Sequence, residues 1–217
     1  MSAADVDQSL EPYPEAGLAD LARRVSRVVS DARVIAAFRA VPRHLFVGDQ
    51  ERSLAYEDHA LPLFDGQTIS QPSMIAIMLE ALATEPHHRA LEVGAGSGYA
   101  AALLATLVRE VHAIEIRPAL VEFARRALLR ADVRGVVLHV GDGSLGLPSE
   151  APFDRILVSA AAREIPAALV EQLAQGGRIA IPVGGGDGQT LRVGIRHATD
   201  VEWEERTPCT FVPLVGS

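Results

Sequence analysis

The segment G-Q-T-I-S-Q-P, residues 66–72, places two hydroxyl side chains around one isoleucine, immediately before an apolar run. Pro72 suits the first turn of a helix, where its missing N–H costs nothing, and a serine near such a proline is a common N-cap. The hydroxyls of Thr68 and Ser70 can equally donate to an anion held near the N-terminus of that helix. On spacing alone, helix capping and ligand binding are equally well supported.

A second candidate is the glycine-rich stretch E-V-G-A-G-S-G, residues 92–98, which lies between a predicted strand and a predicted helix. Nucleotide-binding loops occur in this context, although such loops also serve as plain turns. The dinucleotide pattern G-x-G-x-x-G fails, because its last glycine would fall at Tyr99. A ligand without phosphate, such as S-adenosylmethionine, fits better, and Glu92 would face its ammonium group. The predicted cofactor loop comprises Glu92, Gly94, Gly96, Ser97 and Gly98.

Two further acidic residues follow the next two predicted strands. Glu115 lies about 20 residues after the glycines, the spacing of a carboxylate that accepts hydrogen bonds from ribose hydroxyls. Asp142 can accept a hydrogen bond from an adenine amino group, and Gly143 beside it permits close approach. The alternatives are a solvated Glu115, an NAD site with the same acid, and a turn role for Asp142. Open α/β sheets bind ligands at the carboxyl ends of their strands, where these acids are expected.

The chain from Arg89 onward alternates short apolar runs with helical periodicity, which predicts a parallel sheet covered by helices. We therefore predict an α/β fold with a doubly wound, mostly parallel Rossmann-like sheet and a C-terminal tail resembling a β-hairpin. The expected helices cover 99–108, 119–131 and 166–174, and the expected strands 90–93, 111–116, 136–140, 153–161 and 176–184. In the tail we expect strands at 191–195 and 209–214, separated by a polar stretch.

The residues before this core form a region of a different kind, predicted to be helical. Apolar residues recur at helical spacing from Leu18 to Val29 and from Val34 to Phe38, and a third helix is predicted over 73–83. The first 17 residues are rich in Ala, Asp, Glu and Pro, which predicts a loose arm. We therefore expect one domain over 18–217, with a helical substrate-side region at 18–88 and a cofactor-binding core at 89–217.

The bulk composition of the 217-residue chain narrows the class of protein. Its net charge of −8 and pI of about 5.4 argue against a broad phosphate-binding surface, so no nucleic-acid partner is expected. The single cysteine, Cys209, fits a reducing compartment, and the N-terminus lacks the apolar core of a secretory signal. The longest apolar run, 99–108, is too short to span a bilayer. We expect a cytoplasmic monomer without a membrane partner.

The pair His87–His88 beside Glu85 is the nearest approach to a set of metal ligands in the sequence. We interpret this stretch as a solvated loop and expect no metal site.

Several stretches, taken in order along the chain, resemble the protein-L-isoaspartate O-methyltransferase family. They are V-P-R-H-L-F-V (41–47), A-Y-E-D-H-A-L-P (55–62), G-Q-T-I-S-Q-P (66–72), L-E-V-G-A-G-S-G-Y (91–99), G-D-G (141–143), A-P-F-D-R-I-L-V-S-A-A (151–161), G-G-R-I-A-I-P-V-G (176–184) and F-V-P-L (211–214). The glycine loop and G-D-G are shared by many methyltransferases, whereas the first and third stretches are far more specific.

The resemblance implies transfer of a methyl group from S-adenosylmethionine to the α-carboxylate of L-isoaspartyl residues in damaged proteins and peptides, leaving S-adenosylhomocysteine. The methyl ester then closes without the enzyme to a succinimide, which reopens partly to normal aspartate. In this family Ser70 corresponds to the active-site serine, and Thr68 and Ile69 to neighbours that contact cofactor or substrate. Glu115 corresponds to the ribose-binding acid, and Asp142 with Gly143 to the adenine-binding pair.

The chain departs from the family pattern at Phe64–Asp65, where many bacterial members have a glycine and an apolar residue, and at two predicted substrate-binding positions. Ser73 stands where many members carry an aromatic residue or histidine, and Val215 where a hydroxyl residue is common. We expect both to bind substrate, Val215 through its backbone. The departures motivate an alternative hypothesis, a methyltransferase for one dedicated peptide or small carboxylic acid. A second alternative is a non-catalytic module that binds the cofactor.

Overall fold

The computed structural model describes residues 15–185 and 188–216, so most of the expected N-terminal arm lies outside the described residues. Three helices form the N-terminal region: α1 (Glu15–Val25), α2 (Ala32–Ala40) and α3 (Pro72–Ala81). They pack against one another through fully buried side chains that include Leu21, Phe38 and Leu79. Helix α1 begins at Glu15, earlier than the start expected at Leu18. The helical character predicted for this region is confirmed.

The connection between α2 and α3 is built from short elements. Two 3-10 turns, Arg43–Phe46 and Asp49–Leu54, are followed by a small antiparallel ribbon of β1 (Leu61–Pro62) and β2 (Thr68–Ile69). In this ribbon Leu61 pairs with Ile69, and both side chains are buried. The ribbon therefore fixes the backbone of the Thr68–Ile69 pair just before α3 begins.

The remainder of the chain forms a seven-stranded sheet flanked by three helices. The helices are α4 (Tyr99–Ala105), α5 (Pro118–Arg130) and α6 (Ala167–Glu171), and the strands are β3 (Arg89–Val93), β4 (Glu110–Glu115), β5 (Val136–Val140), β6 (Phe153–Val158), β7 (Leu173–Gly185), β8 (Gly188–Arg196) and β9 (Val201–Cys209). The spatial order is β5-β4-β3-β6-β7-β8-β9. The first five of these strands are parallel, and β8 and β9 are antiparallel. The predicted fold class is confirmed.

Successive residues of the central strands serve two different apolar cores. In β3, Ala90 belongs to the core that includes the N-terminal helices and α4, while Leu91 and Val93 belong to the core on the opposite face. Strands buried on both faces read as continuous apolar runs, which explains the pattern seen in the sequence. Burying one leucine such as Leu91 completely stabilises the fold by about 1.5–3 kcal/mol.

The last strand does not lie where the sequence predicts it. The polar stretch Val201–Cys209 forms β9, and the prediction of a strand at 209–214 was wrong. As an edge strand, β9 leaves side chains such as Glu202 and Glu204 in solvent while its backbone pairs with β8. The segment 210–214 instead leaves the sheet, and Pro213 meets Ala161 just beyond β6.

Helix α6 is also shorter than predicted, because it ends at Glu171 and the expected helix ran to residue 174. Leu173 is buried and already pairs with Phe153 of β6, so the chain enters β7 within two residues of the helix end. None of the helices in the described ranges is long and apolar enough to cross a membrane.

Candidate active site

The carboxyl ends of β3, β4 and β6 lie next to one another at the topological switch point of the sheet, where the order of strand addition changes from one side of β3 to the other. From β3 the chain proceeds to β4 and β5 on one side, and it then returns to β6 and β7 on the other. Ligands of open α/β sheets bind in the crevice at such a switch point. A cleft of about 540 Å³, including its open mouth, lies there, and we call it the main cleft. Six predicted site residues line it: Thr68, Gly94, Gly96, Glu115, Gly143 and Val215.

The glycine loop after β3 has left-handed backbone at all three of its glycines, with φ of +81° at Gly94, +52° at Gly96 and +83° at Gly98. Residues with a Cβ rarely adopt this conformation, which accounts for the glycines independently of any ligand. At Gly98 a Cβ would also lie 3.0 Å from the Cβ of Ala124. The loop is therefore a turn into α4 whose conformation requires glycine, and at Gly94 and Gly96 it presents bare backbone to the cleft.

Glu115, the last residue of β4, is tied to the glycine loop. One carboxylate oxygen accepts a hydrogen bond from the Gly96 N–H at 3.0 Å, and the other accepts from the Arg117 N–H at 3.0 Å. Its side chain is buried and lines the main cleft. A carboxylate can accept about four hydrogen bonds, so Glu115 retains capacity for hydroxyl donors of a ligand. The alternative of a solvated Glu115 does not describe this environment.

Asp142 has a turn role in the structure. Its Oδ1 accepts hydrogen bonds from the Ser144 N–H at 2.9 Å and from the Ser144 hydroxyl at 2.7 Å, capping a 3-10 turn. The neighbouring Gly143 lines the main cleft, where a Cβ would approach Val93 Cγ1 to 2.5 Å. The pair therefore lies at the edge of the cleft, with Gly143 packed directly on β3.

Glu92 is the most unusual carboxyl group of the site, because it is almost completely buried in β3. Its Oε1 accepts a hydrogen bond from the Ser159 hydroxyl at 3.0 Å, and an interaction with the Ala101 backbone N–H also lowers its pKa. Its buried Oε2 makes no hydrogen bond of full geometry with any described residue. Burial raises the pKa of Glu92 to about 8, and the nearby charge of Glu115 adds to this rise. A cationic ligand group would supply the missing partner and restore the charged form. The ammonium group of S-adenosylmethionine meets this requirement.

A second, smaller cleft adjoins the main cleft and holds this carboxyl. We call it the inner cleft; its lining includes Ile69, Ser70, Glu92, Ser97 and Tyr99. A third cleft, which we call the outer cleft, is also lined by Ser70, and its lining includes Gln71, Met74 and Phe211. Ser70 thus lines both the inner and the outer cleft.

The structure resolves the ambiguity about Ser70 and helix capping. The N-cap position of α3 is Gln71, which makes no side-chain cap. The backbone N–H of Ser73 instead donates a hydrogen bond to the carboxylate of Asp58 at 2.9 Å. Ser70 therefore does not cap the helix, and it lines the inner and outer clefts.

The two departures at predicted substrate-binding positions lie in different environments. Val215 is half exposed and lines the main cleft. Ser73 is buried, and its hydroxyl donates to Asp58 at 2.6 Å. It does not line the main, inner or outer cleft, so the structure does not bring Ser73 together with the other predicted site residues.

Ser159 is a site residue that the sequence analysis missed. It follows the last residue of β6, lines all three clefts with Thr68, and donates to Glu92. The predicted strand runs over 153–161 and so includes Ser159; only the observed end of β6 at Val158 places Ser159 at the carboxyl edge of the sheet, beside the acids that end the other strands. The segment 212–214, predicted as strand, also lines the main cleft.

The histidine pair near β3 is not a fully solvated loop. His87 is exposed, but His88 is buried and its Nδ1 accepts a hydrogen bond from the Glu85 N–H at 2.8 Å. Within residues 15–185 and 188–216, no three His, Cys, Asp or Glu side chains are arranged to hold a metal ion.

Comparison with known proteins yields one consistent family. A family model described as protein-L-isoaspartate(D-aspartate) O-methyltransferase matches residues 19–217. A protein-L-isoaspartate O-methyltransferase of Roseiflexus sp. (strain RS-1) is 51% identical over 192 residues, which are 88% of each chain. Another, from Aeropyrum pernix, is 48% identical over 213 residues, which are 95% of this chain and 82% of the relative.

Two solved structures described as protein-L-isoaspartate O-methyltransferases are similar to the whole fold. One has a TM-score of 0.84 at 27% identity and covers 92% of this chain and 66% of its own. The other, from Plasmodium falciparum in complex with S-adenosyl-L-homocysteine, has a TM-score of 0.81 at 25% identity. That match covers 93% of this chain and 97% of the Plasmodium chain.

Proposed function

The chain belongs to the protein-L-isoaspartate(D-aspartate) O-methyltransferase family, and from this premise we propose how its residues carry out the reaction. It is a methyltransferase that uses S-adenosylmethionine to methylate the α-carboxylate of L-isoaspartyl residues in damaged proteins and peptides. The observation that supports the residue roles best is the position of Ser70. Ser70 lines both the inner cleft, which Glu92 also lines, and the outer cleft.

The residues of the main and inner clefts form the proposed cofactor site. S-Adenosylmethionine supplies a methyl group on a positively charged sulfur, which is a good leaving group. We assign its ammonium group to Glu92, which lacks a partner for Oε2, and its ribose hydroxyls to Glu115. Gly143 and Asp142 would hold the adenine. The glycine loop, Gly94, Gly96, Ser97 and Gly98, would supply backbone to bind the methionine part.

Methylation of the acceptor carboxylate requires little acid–base catalysis. A free carboxylate has a pKa of about 3–4, so the nucleophile is already ionised at neutral pH and no strong general base is required. The enzyme instead holds one carboxylate oxygen in line behind the methyl group, which is catalysis by proximity and orientation. In our assignment the Ser70 hydroxyl donates to the acceptor carboxylate. Thr68, Ile69 and the backbone at Val215 line its binding site.

A neutral donor suits this task better than a cation would. A lysine at Ser70 would stabilise the ground-state carboxylate strongly and so lower its reactivity, whereas a hydroxyl orients the group without neutralising it. The net charge of −8 makes such local donors more important, because the average field of the protein disfavours an anionic substrate.

The substrate class is tested with paired peptides that differ only in one isoaspartyl or aspartyl linkage. Labelled methyl from S-adenosylmethionine should enter the isoaspartyl peptide and not its aspartyl twin. Equal transfer to both peptides, or none to either, would exclude the proposed function.

The role of Ser70 is tested with Ser70→Ala, and Ser26→Ala on the N-terminal region is the matched control. Ser26 is exposed, and its hydroxyl donates to the Arg23 carbonyl. We expect Ser70→Ala to lose most of its turnover while its affinity for S-adenosylhomocysteine, measured by calorimetry, stays unchanged. Loss of cofactor binding together with turnover would reassign Ser70 to support of the cofactor site.

We also propose that the protein acts as a cytoplasmic monomer on isoaspartyl proteins and peptides and binds no nucleic acid. The acidic composition and the single cysteine support these points. In the same proposal, residues 18–217 form one domain, with substrate-side residues 18–88 packed on the cofactor-binding core 89–217. Sedimentation equilibrium and a mobility-shift assay at low salt test the monomer and the absence of nucleic-acid binding; a dimer or a shifted band would contradict them.

A further inference from the structure

Arg43, in the stretch V-P-R-H-L-F-V, is fully buried, and the reaction described above gives it no role. Burying a guanidinium is costly unless its donors are satisfied. Its two terminal nitrogens donate to backbone carbonyls: Nη1 to Ala55 at 2.7 Å and Glu57 at 3.3 Å, and Nη2 to His59 and Ser70 at 3.1 Å each. Its buried Nε has no hydrogen-bond partner among the described residues. One side chain thus ties the segment 55–59 to the segment that carries the proposed catalytic serine.

The same guanidinium also lies near a residue of the core 89–217. Its Cζ lies 5.8 Å from the centroid of the Tyr99 ring. Tyr99 is the first residue of α4, directly after the glycine loop, and it lines the inner cleft together with Ser70. Arg43 therefore contacts the acceptor segment through Ser70 and the cofactor loop through Tyr99.

We propose that Arg43 is a positioning residue that holds the Ser70 backbone in register with the cofactor loop. This inference rests on the proposed role of Ser70. The planar fork of arginine can donate to several carbonyls in a fixed geometry, whereas lysine carries the same charge on a flexible stem. Because Arg43 acts through the Ser70 carbonyl, it leaves the Ser70 hydroxyl available to the acceptor.

The substitution Arg43→Lys keeps the positive charge at this position but removes the planar arrangement of hydrogen-bond donors. A displacement of about 1 Å of a catalytic group can cost about 100-fold in rate, so we expect kcat for the isoaspartyl peptide to fall about 10- to 100-fold. Affinity for S-adenosylhomocysteine should stay within about twofold, because the loop glycines and Glu92 keep their own contacts. The matched control is Arg155→Lys: Arg155 is also buried and donates to the backbone carbonyls of Ala83 and Asp154.

The double variant with Ser70→Ala distinguishes positioning from general support of the fold. If Arg43 acts through Ser70, Arg43→Lys costs little further rate once the Ser70 hydroxyl is absent, whereas independent effects multiply. Hydrogen–deuterium exchange gives a readout that needs no activity: amides of residues 68–71 should exchange faster in Arg43→Lys than in Arg155→Lys.

Each outcome supports or overturns the positioning role of Arg43. Multiplicative losses in the double variant, full activity of Arg43→Lys, or unchanged exchange at 68–71 would overturn the positioning role. So would a failure of Arg43→Lys to fold under conditions in which Arg155→Lys folds, because Arg43 would then support the fold as a whole. Absence of methyl transfer in the unsubstituted protein would instead reject the proposed function, while the exchange measurement still tests Arg43.

Discussion

Replacing Glu92 by glutamine tests the electrostatics of the proposed cofactor site most directly. Burial raises the pKa of Glu92 to about 8 from an ordinary 4.5, and the Ser159 hydroxyl only partly opposes this rise. Between these two pH values the folded protein holds a proton on Glu92 that the unfolded chain has released. The ligand-free protein should therefore lose stability as the pH rises through this window, since only the unfolded chain gains by ionising.

The magnitude follows from the two pKa values. Relative to Glu92→Gln, the free energy of unfolding of the unsubstituted protein should fall by about 1.4 kcal/mol per pH unit between about pH 5 and pH 7.5. The accumulated difference is about 3 kcal/mol at pH 7 and levels off at about 5 kcal/mol above pH 8. Glutamine stays neutral throughout and keeps an oxygen that can accept from Ser159, so the packing around the site is preserved.

The assay is urea unfolding of the ligand-free proteins at intervals between about pH 5 and pH 9. Glu171→Gln is the control, because it removes an exposed carboxylate from α6 and so accounts for the loss of one negative charge. Stability curves of the unsubstituted protein and Glu92→Gln that run parallel across this range would refute the reasoning. They would mean that Glu92 is solvated in solution.

A second consequence of the same group concerns ligand binding. A cationic amino group beside Glu92 favours the ionised carboxylate, so binding of S-adenosylhomocysteine at pH 7 should release a proton. Calorimetry in two buffers of different ionisation enthalpy measures this release. Glu92→Gln should bind more weakly and release none, whereas equal proton release from both proteins would assign the ammonium group to another residue.

Three further substitutions give distinct results. Gly98→Ala should lower stability by about 1–2 kcal/mol more than Gly176→Ala in thermal unfolding; both glycines have positive φ, but only the former meets a neighbouring Cβ at 3.0 Å. Ser159→Ala removes the hydrogen bond that lowers the pKa of Glu92, so cofactor affinity should fall several-fold at pH 7 and less at pH 9. Ser73→Ala should cost about 1 kcal/mol of stability by urea unfolding and leave the KM for isoaspartyl peptide unchanged; a raised KM would place Ser73 at the substrate.

Local sequence was sufficient for the parts of this protein that repeat a simple geometric rule. Alternating strands and helices imply a parallel sheet, and parallel strands bring their carboxyl ends to one edge. That rule alone placed the glycine loop, Glu115 and Gly143 around one cleft. The helix after Pro72 and the separate helical N-terminal region also followed from periodicity, since helical amphipathicity is a property of neighbouring residues.

Tertiary structure decided every feature that depends on partners distant in sequence. Ser70 and Ser73 both lie close to Pro72, so the local sequence does not distinguish which of them takes part in capping α3 and which lines a cleft. Asp58, 15 residues earlier in sequence, binds Ser73 and caps α3, and this leaves Ser70 to line the clefts.

Short-range sequence pattern and strand order were thus sufficient to predict the fold class and the family, and they also predict most residues of the proposed cofactor site. Only the folded chain decided which polar groups are buried, which are satisfied and which remain without a partner. Glu92 becomes a buried acid with one unpartnered oxygen because β3 is covered on both faces, and Arg43 joins carbonyls that span residues 55–70. Burial and long-range hydrogen bonding are sums over the whole chain, and no short stretch of sequence contains them.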